Sequence, residues 1–169
     1  MKYYIKATRD NMTANYDGYQ YKMGVNKHPY PDTSDELCSR GFHLACTPRG
    51  ALQYVYKATE FYLCTARKVY ARGYDKIRCR EVNILWRIPM PEEFSKARAA
   101  YYKAWAVYYK AMAAPDKAWA GKAGDAYDKA WAAYIKARDA LDEDFMEQAI
   151  KQYEDEKKYA RDKGWLTNL

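Results

Sequence analysis

Residues 38–56, CSRGFHLACTPRGALQYVY, pack more local structural signals than any other part of the chain. Ser39-Arg40-Gly41 reads as a turn and Phe42–Ala45 as a short strand, with Phe42 and Leu44 on one face and His43 and Ala45 on the other. Thr47-Pro48 then starts a helix. A threonine at the N-cap accepts an orphan amide hydrogen bond, and a proline at the first helical position has no amide to leave unpaired. Ala51, Leu52 and Val55 fall on the inner side of that helix.

Outward from this core, Tyr3–Thr8 reads as a strand, and Arg9-Asp10-Asn11 ends it. Tyr19–Met23 alternates and is expected to be a second short strand, with residues 26–36 as a loop around Pro29 and Pro31. Glu60–Tyr70 and Lys76–Ile88 form a predicted hairpin about Arg72-Gly73-Tyr74-Asp75. In its second strand Ile77, Cys79 and Glu81 share one face and Lys76, Arg78 and Arg80 the other. The apolar phase then passes to Val82, Ile84 and Trp86, which implies a bulge or a change of exposure near Glu81.

The second half is a different polymer. Pro91-Glu92-Glu93 is a helix start, with carboxylates at the positive end of the dipole. Lys96, Lys103, Lys110 and Lys117 then recur every seven residues, with Ala97, Ala104, Ala111 and Ala118 in the same phase. A seven-residue period of small residues and aromatics predicts closely packed helices. Pro115, Gly121 and Gly124 place the reversal at about 114–125, and a long second helix is expected over 128–163, capped by Gly164, with Glu154–Lys158 as a solvated face. The chain is therefore read as α+β: a small antiparallel or mixed β-sheet domain with one packed helix over 1–90, then a long Ala/Tyr/Trp-rich helical hairpin over 91–169. Two facing helices cannot bury aromatics on every side. Trp105, Trp119, Trp131, Tyr108 and Tyr134 are accordingly expected to serve an oligomer or partner contact beside the hairpin's own seam.

Charge separates the halves. Residues 1–90 carry 15 Lys and Arg against 8 Asp and Glu, whereas 91–169 carry 14 of each, so the whole net charge of +7 lies in the first part. A basic domain favours phosphates, nucleotides, nucleic acid or an acidic protein surface. Lys6, Arg9, Arg40, Arg49, Arg78 and Arg80, with His43 and Tyr54, are the expected ligand-binding set, basic residues interleaved with tyrosines that can stack. No run is long and apolar enough for a bilayer, and the start is no signal peptide, so a cytoplasmic protein without a membrane partner is expected. Cys38, His43 and Cys46, with Cys64 or Cys79, could in principle hold zinc, but no CxxC knuckle is present and no metal is expected. No nucleophile elbow or Gly-rich phosphate loop occurs, and a Cys46–His43 pair would face opposite ways along a strand. No catalytic residue and no cofactor are assigned.

Tyr4-Ile5-Lys6-Ala7-Thr8, then Cys38–Tyr54, then a hairpin ending Glu81–Ile88, resembles a short uncharacterised domain found in bacteriophage proteins. The resemblance covers about residues 1–90 and is most specific at Gly41-Phe42-His43 and the Pro48-x-x-Ala51-Leu52 that follows. It implies a phage or prophage origin and an accessory role in the host cytoplasm. The function expected for the chain is that of a non-enzymatic inhibitor of a host defence system that binds a nucleotide signal, nucleic acid or a host protein. A structural phage component is an alternative. The same Gly41–Tyr54 arrangement is also similar to the second-strand segment of ADP-ribosyltransferase-like folds, which would imply NAD as cofactor and Glu81 as the acid. There Phe42 stands where a hydroxyl-bearing aromatic is usual, and the first strand offers Lys6 rather than His or Arg.

Overall fold

The computed structural model describes residues 2–14, 18–55, 58–114 and 117–163. The chain is α+β, and its described residues fall into two compact units: those up to Pro89 together with those from Leu141 onward, and Met90–Ala140.

The first unit is built on an antiparallel five-stranded sheet of β1 (Tyr4–Thr8), β2 (Gly24–Lys27), β3 (Phe42–Ala45), β4 (Glu60–Arg72) and β5 (Lys76–Arg87). β1 pairs with β3, β3 with β5, β5 with β4 and β4 with β1, so the hydrogen bonding returns to its start and only β2 lies outside the ring. Closure removes most of the free edge that an open sheet would present. β3 and β2 share one edge of β5, at Lys76–Cys79 and Glu81–Ile84 respectively. The predicted change of phase near Glu81 is real and involves both strands. Val82 and Ile84 join Ile77 and Cys79 in one apolar cluster, while β4 contributes Tyr62 and Cys64, with Ala66 and Val69 packed beside them. Both strands thus switch parity where Arg67 faces Glu81 and Val69 faces Cys79, and Lys68 between them has φ +52°. Register shifts occur at Val69/Ala71 and Leu63/Cys64.

The expected strand over 19–23 is not one. The strand is Gly24–Lys27, whose last two residues fall in the segment expected to be a loop from residue 26. Tyr19 and Tyr21 instead put their rings against Phe42, at 5.0 and 5.2 Å between centroids, so burial of the aromatic edges outweighs strand propensity. Buried Asn26 holds the preceding turn, accepting from the Lys22 amide and donating to the Lys22 and Gly24 carbonyls.

α1 (Pro48–Tyr54) begins as the sequence predicts, with Thr47 Oγ1 accepting from the Gly50 amide at 3.0 Å. The loop before β3 is ordered by a side chain on β5. Arg78 is fully buried, and its guanidinium donates to the carbonyls of Glu36 (2.7 Å), Arg40 (2.9 Å), Asp32 and Ser34. A planar fork with five donors can serve several carbonyls at once, which an ammonium on a flexible stem cannot reproduce. Gly41 lets the chain pass close over this side chain: a Cβ there would meet Arg78 Cγ at 3.0 Å and the Cys79 carbonyl oxygen at 3.2 Å, with φ at +151°.

The predicted long second helix is two. α2 (Glu92–Met112) is followed by α3 (Lys117–Asp139), with Gly121 and Gly124 inside α3 rather than in a turn. α4 (Glu143–Asp162) is a separate helix, whose N-cap Asp142 accepts from the Phe145 amide at 3.2 Å. Gly164, the expected cap, lies outside the described residues. α4 belongs to the sheet unit: Tyr153 meets Tyr3 and Trp86, Trp86 Nε1 donates to Glu156 at 2.8 Å, and Tyr3 donates to Glu154. Part of the face expected to be solvated is therefore engaged. In the second unit the α2–α3 seam is aromatic. Tyr101 stacks on Tyr134 at 5.2 Å and Tyr108 on Tyr127 at 5.3 Å. None of the described helices is long and apolar enough to cross a membrane.

The guanidinium clamp yields a prediction. Arg78→Lys leaves buried carbonyls without donors and is expected to cost about 3 kcal/mol. Urea unfolding of the two proteins checks this, and an unchanged midpoint would contradict it.

Candidate functional site

β1 and β3 are in register at one position only, Ile5 opposite Ala45. Beyond it β1 stays with β4 and β3 with β5, and the two strands part. Lys6 reaches across the gap, its Nζ donating to the His43 carbonyl at 3.2 Å. The opening is the mouth of a cavity of about 610 Å³, walled on one side by the Arg78-held loop and on another by α1. Its apolar lining comes from Ile5, Ala7, Leu44, Ala45, Ala51 and Val55.

Two lysines give the cavity its character. Lys6 is 8% exposed and Lys76 9%, and each ammonium lies over a tyrosine ring: Lys6 over Tyr21 at 4.6 Å, Lys76 over Tyr54 at 4.1 Å. Cation–π contact strengthens as water is withdrawn, which helps hold two ammonium groups at so little exposure. Lys76 Nζ also donates to Cys38 Sγ at 3.3 Å, and among the described residues it has no carboxylate ion-pair partner. Tyr54 is oriented by Asp75, to whose carboxylate its hydroxyl donates at 2.7 Å. That bond, with partial burial, pushes the phenol pKa up to about 12, so Tyr54 acts as a neutral donor.

His43 lines the same cavity and feels both cations. Its Nε2 lies 2.8 Å from the Leu37 carbonyl, so Nε2 carries the proton and Nδ1 is left as an acceptor. Burial lowers the His43 pKa, the Leu37 bond opposes this, and Lys6, Lys76 and Arg78 lower it further. A neutral imidazole beside two ammonium groups leaves the site cationic without adding a third buried charge. On the loop itself, the Asp32 carboxylate accepts from the Ser39 hydroxyl and the Ser34 amide, which lowers its pKa to about 2.

Of the residues the sequence singled out, the cavity gathers Lys6, Arg40, His43 and Tyr54. Arg78 does not reach it as a ligand group, because its guanidinium is spent on the loop carbonyls. Arg9 and Arg49 are exposed and do not line it. Arg80 does not line it either: its carbonyl accepts from the His28 amide, and its Nε is buried without a hydrogen-bond partner among the described residues. Lys76 was missed, while Tyr21 was expected only as one of several tyrosines that can stack and Cys38 only as a candidate metal ligand. Lys76 is in the alternating run of β5, where strand period alone cannot tell a cavity from solvent.

Glu81 lies elsewhere, in a shallow depression with Lys27 and Arg67, and pairs with Lys68 at 3.5 Å. Cys64 and Cys79 are in the sheet core, and among the described residues no three His, Cys, Asp or Glu side chains come together as a metal would require. In the helical unit Tyr108 and Tyr134 belong to the α2–α3 seam, while Trp105, Trp119 and Trp131 remain 44, 43 and 40% exposed.

A family model described as a domain of unknown function, DUF7666, matches residues 2–96, more than half of the chain and every residue that lines the cavity. No curated protein and no solved structure matches the chain.

The depressed Asp32 pKa sets a pH dependence. A carboxyl lowered from 3.8 to about 2 on folding contributes stability that is whole above about pH 4 and is lost as the pH falls towards 2. The excess stability of wild type over Asp32→Asn is therefore expected to shrink across that window, followed by urea midpoints. A difference that stays constant with pH would contradict the assignment.

Proposed function

The chain belongs to the DUF7666 family, and from that premise we propose that its sheet unit is a non-enzymatic receptor for a small organic anion of nucleotide dimensions. The observation that carries the proposal is the pair of nearly buried ammonium groups, Lys6 and Lys76, set over tyrosine rings in one cavity. A volume of about 610 Å³ is in the range of small-molecule sites, and apolar walls with a few convergent polar groups are their usual chemistry. An anion placed between the lysines neutralises charge in surroundings where each Coulomb contact is worth about 4 kcal/mol at 4 Å.

A small anion is favoured over a nucleic-acid strand by where the cations lie. The buried lysines face a walled cavity, and Arg9 and Arg49, which a polymer track over the surface would need, stand outside it. The sequence resemblance implies a phage accessory protein, and in the role we propose for it, acting against a host defence system, such a receptor withdraws a nucleotide signal from its effector. Self-association through the exposed Trp105, Trp119 and Trp131 would multiply the sites per particle.

Calorimetry with AMP and adenosine tests the reading. AMP is expected to bind at least about tenfold more tightly than adenosine, a difference of about 1.4 kcal/mol. Lys6→Met and Lys76→Met should each cost about tenfold, and Arg49→Glu should cost nothing. Equal affinity for AMP and adenosine, or loss confined to Arg49→Glu, would contradict it.

A further inference from the structure

We propose that Cys38 is a thiol-exchange site at the mouth of the cavity, where it forms a mixed disulfide with an anionic low-molecular-weight disulfide such as oxidised glutathione. The inference rests on the cationic reading of the cavity and names a second chemical class that the same charges select.

Cys38 differs from the other cysteines. It is exposed and lines the cavity, whereas Cys46 is half-buried and Cys64 and Cys79 are buried in the sheet. Burial pushes the Cys46 and Cys64 thiols up, and Cys79 up to about 12, so these three are poor nucleophiles. Cys38 has instead the Lys76 ammonium 3.3 Å from its sulfur. A cation is thus in place beside the atom that carries negative charge when it attacks. The position is also fixed. Arg78 holds the carbonyls of Glu36 and Arg40 on either side of Cys38, and His43 holds that of Leu37.

The exchange balances without a further oxidant. The Cys38 thiol gives its proton to solvent and the sulfur attacks one sulfur of the incoming disulfide. The new S–S bond forms as the old one breaks, and the departing thiolate takes a proton from solvent. Cys38 is oxidised to the mixed disulfide, and the incoming disulfide is reduced to one free thiol. Each glutathionyl group has a net negative charge, which Lys6, Lys76 and Arg40 at the cavity attract. Once attached it covers the mouth, so modification and anion binding exclude one another.

Intact-protein mass spectrometry with peptide mapping tests this on the full chain, following adducts over time with three disulfides. Oxidised glutathione is anionic, bis(2-hydroxyethyl) disulfide neutral and cystamine cationic. The adduct is expected on Cys38 and is lost in Cys38→Ser. The anionic reagent should react about fivefold or more faster than the cationic one at low salt, the preference collapsing in high salt and in Lys76→Gln. Modification with no charge preference, or falling first on Cys46, overturns the proposal. AMP calorimetry on the unmodified wild type separates the two readings. AMP binding with no charge preference at Cys38 overturns the exchange site alone, and the absence of both overturns the cationic cavity with it.

Discussion

The interaction on which the rest of the first unit depends is the insertion of the Arg78 guanidinium into the loop that precedes β3. A fully buried charge is costly unless hydrogen bonds replace its water, and here the carbonyls of Asp32, Ser34, Glu36 and Arg40 do so. The gain runs in both directions, because an irregular loop needs donors for its carbonyls as much as the cation needs acceptors. With the loop held at four points, Leu37 meets His43, Cys38 meets Lys76, and Gly41 crosses the Arg78 side chain where a Cβ would crowd Arg78 Cγ and the Cys79 carbonyl. One side chain of β5 thereby sets a wall of the cavity.

The other requirement is that β1 and β3 separate. The ring of strands closes through β4, so β1 and β3 need only a single point of register, and the space left between them becomes the cavity. Lys6 spans that space to the His43 carbonyl and leaves its ammonium at the lining. Sheet closure, loop and α1 together produce a site that holds two ammonium groups nearly out of water. Such groups are stable there only beside aromatic faces or anions.

Much of this was legible in the chain. Thr47-Pro48 marks α1, the alternation at Phe42–Ala45 marks β3, and Arg72–Asp75 marks the hairpin turn, because capping and turn chemistry are local. What failed was decided at a distance. Tyr19 and Tyr21 alternate like a strand, yet their rings are claimed by Phe42. Lys76 and Arg78 share one strand face, and alternation gives them the same standing, but the loop that covers that face makes one a cavity cation and the other a structural clamp. Arg78 was expected to be a ligand group, and nothing in its neighbours along the chain reveals that four carbonyls from residues 32–40 would occupy it. The break before α4 did have a local sign, Asp142 three residues ahead of Phe145. The seven-residue lysine phase of Lys129 and Lys136 also stops there, at Glu143.

The central claim is that the Arg78-ordered loop and the two lysines form one anion site. A nuclear magnetic resonance titration with AMP, read on backbone amides and on lysine side chains, addresses it most directly. The account predicts shifts at Lys6, Lys76 and the amides of residues 37–43, with Arg9 and Arg49 unmoved. Shifts confined to the Arg9 and Arg49 surfaces, with residues 37–43 unchanged, would contradict it.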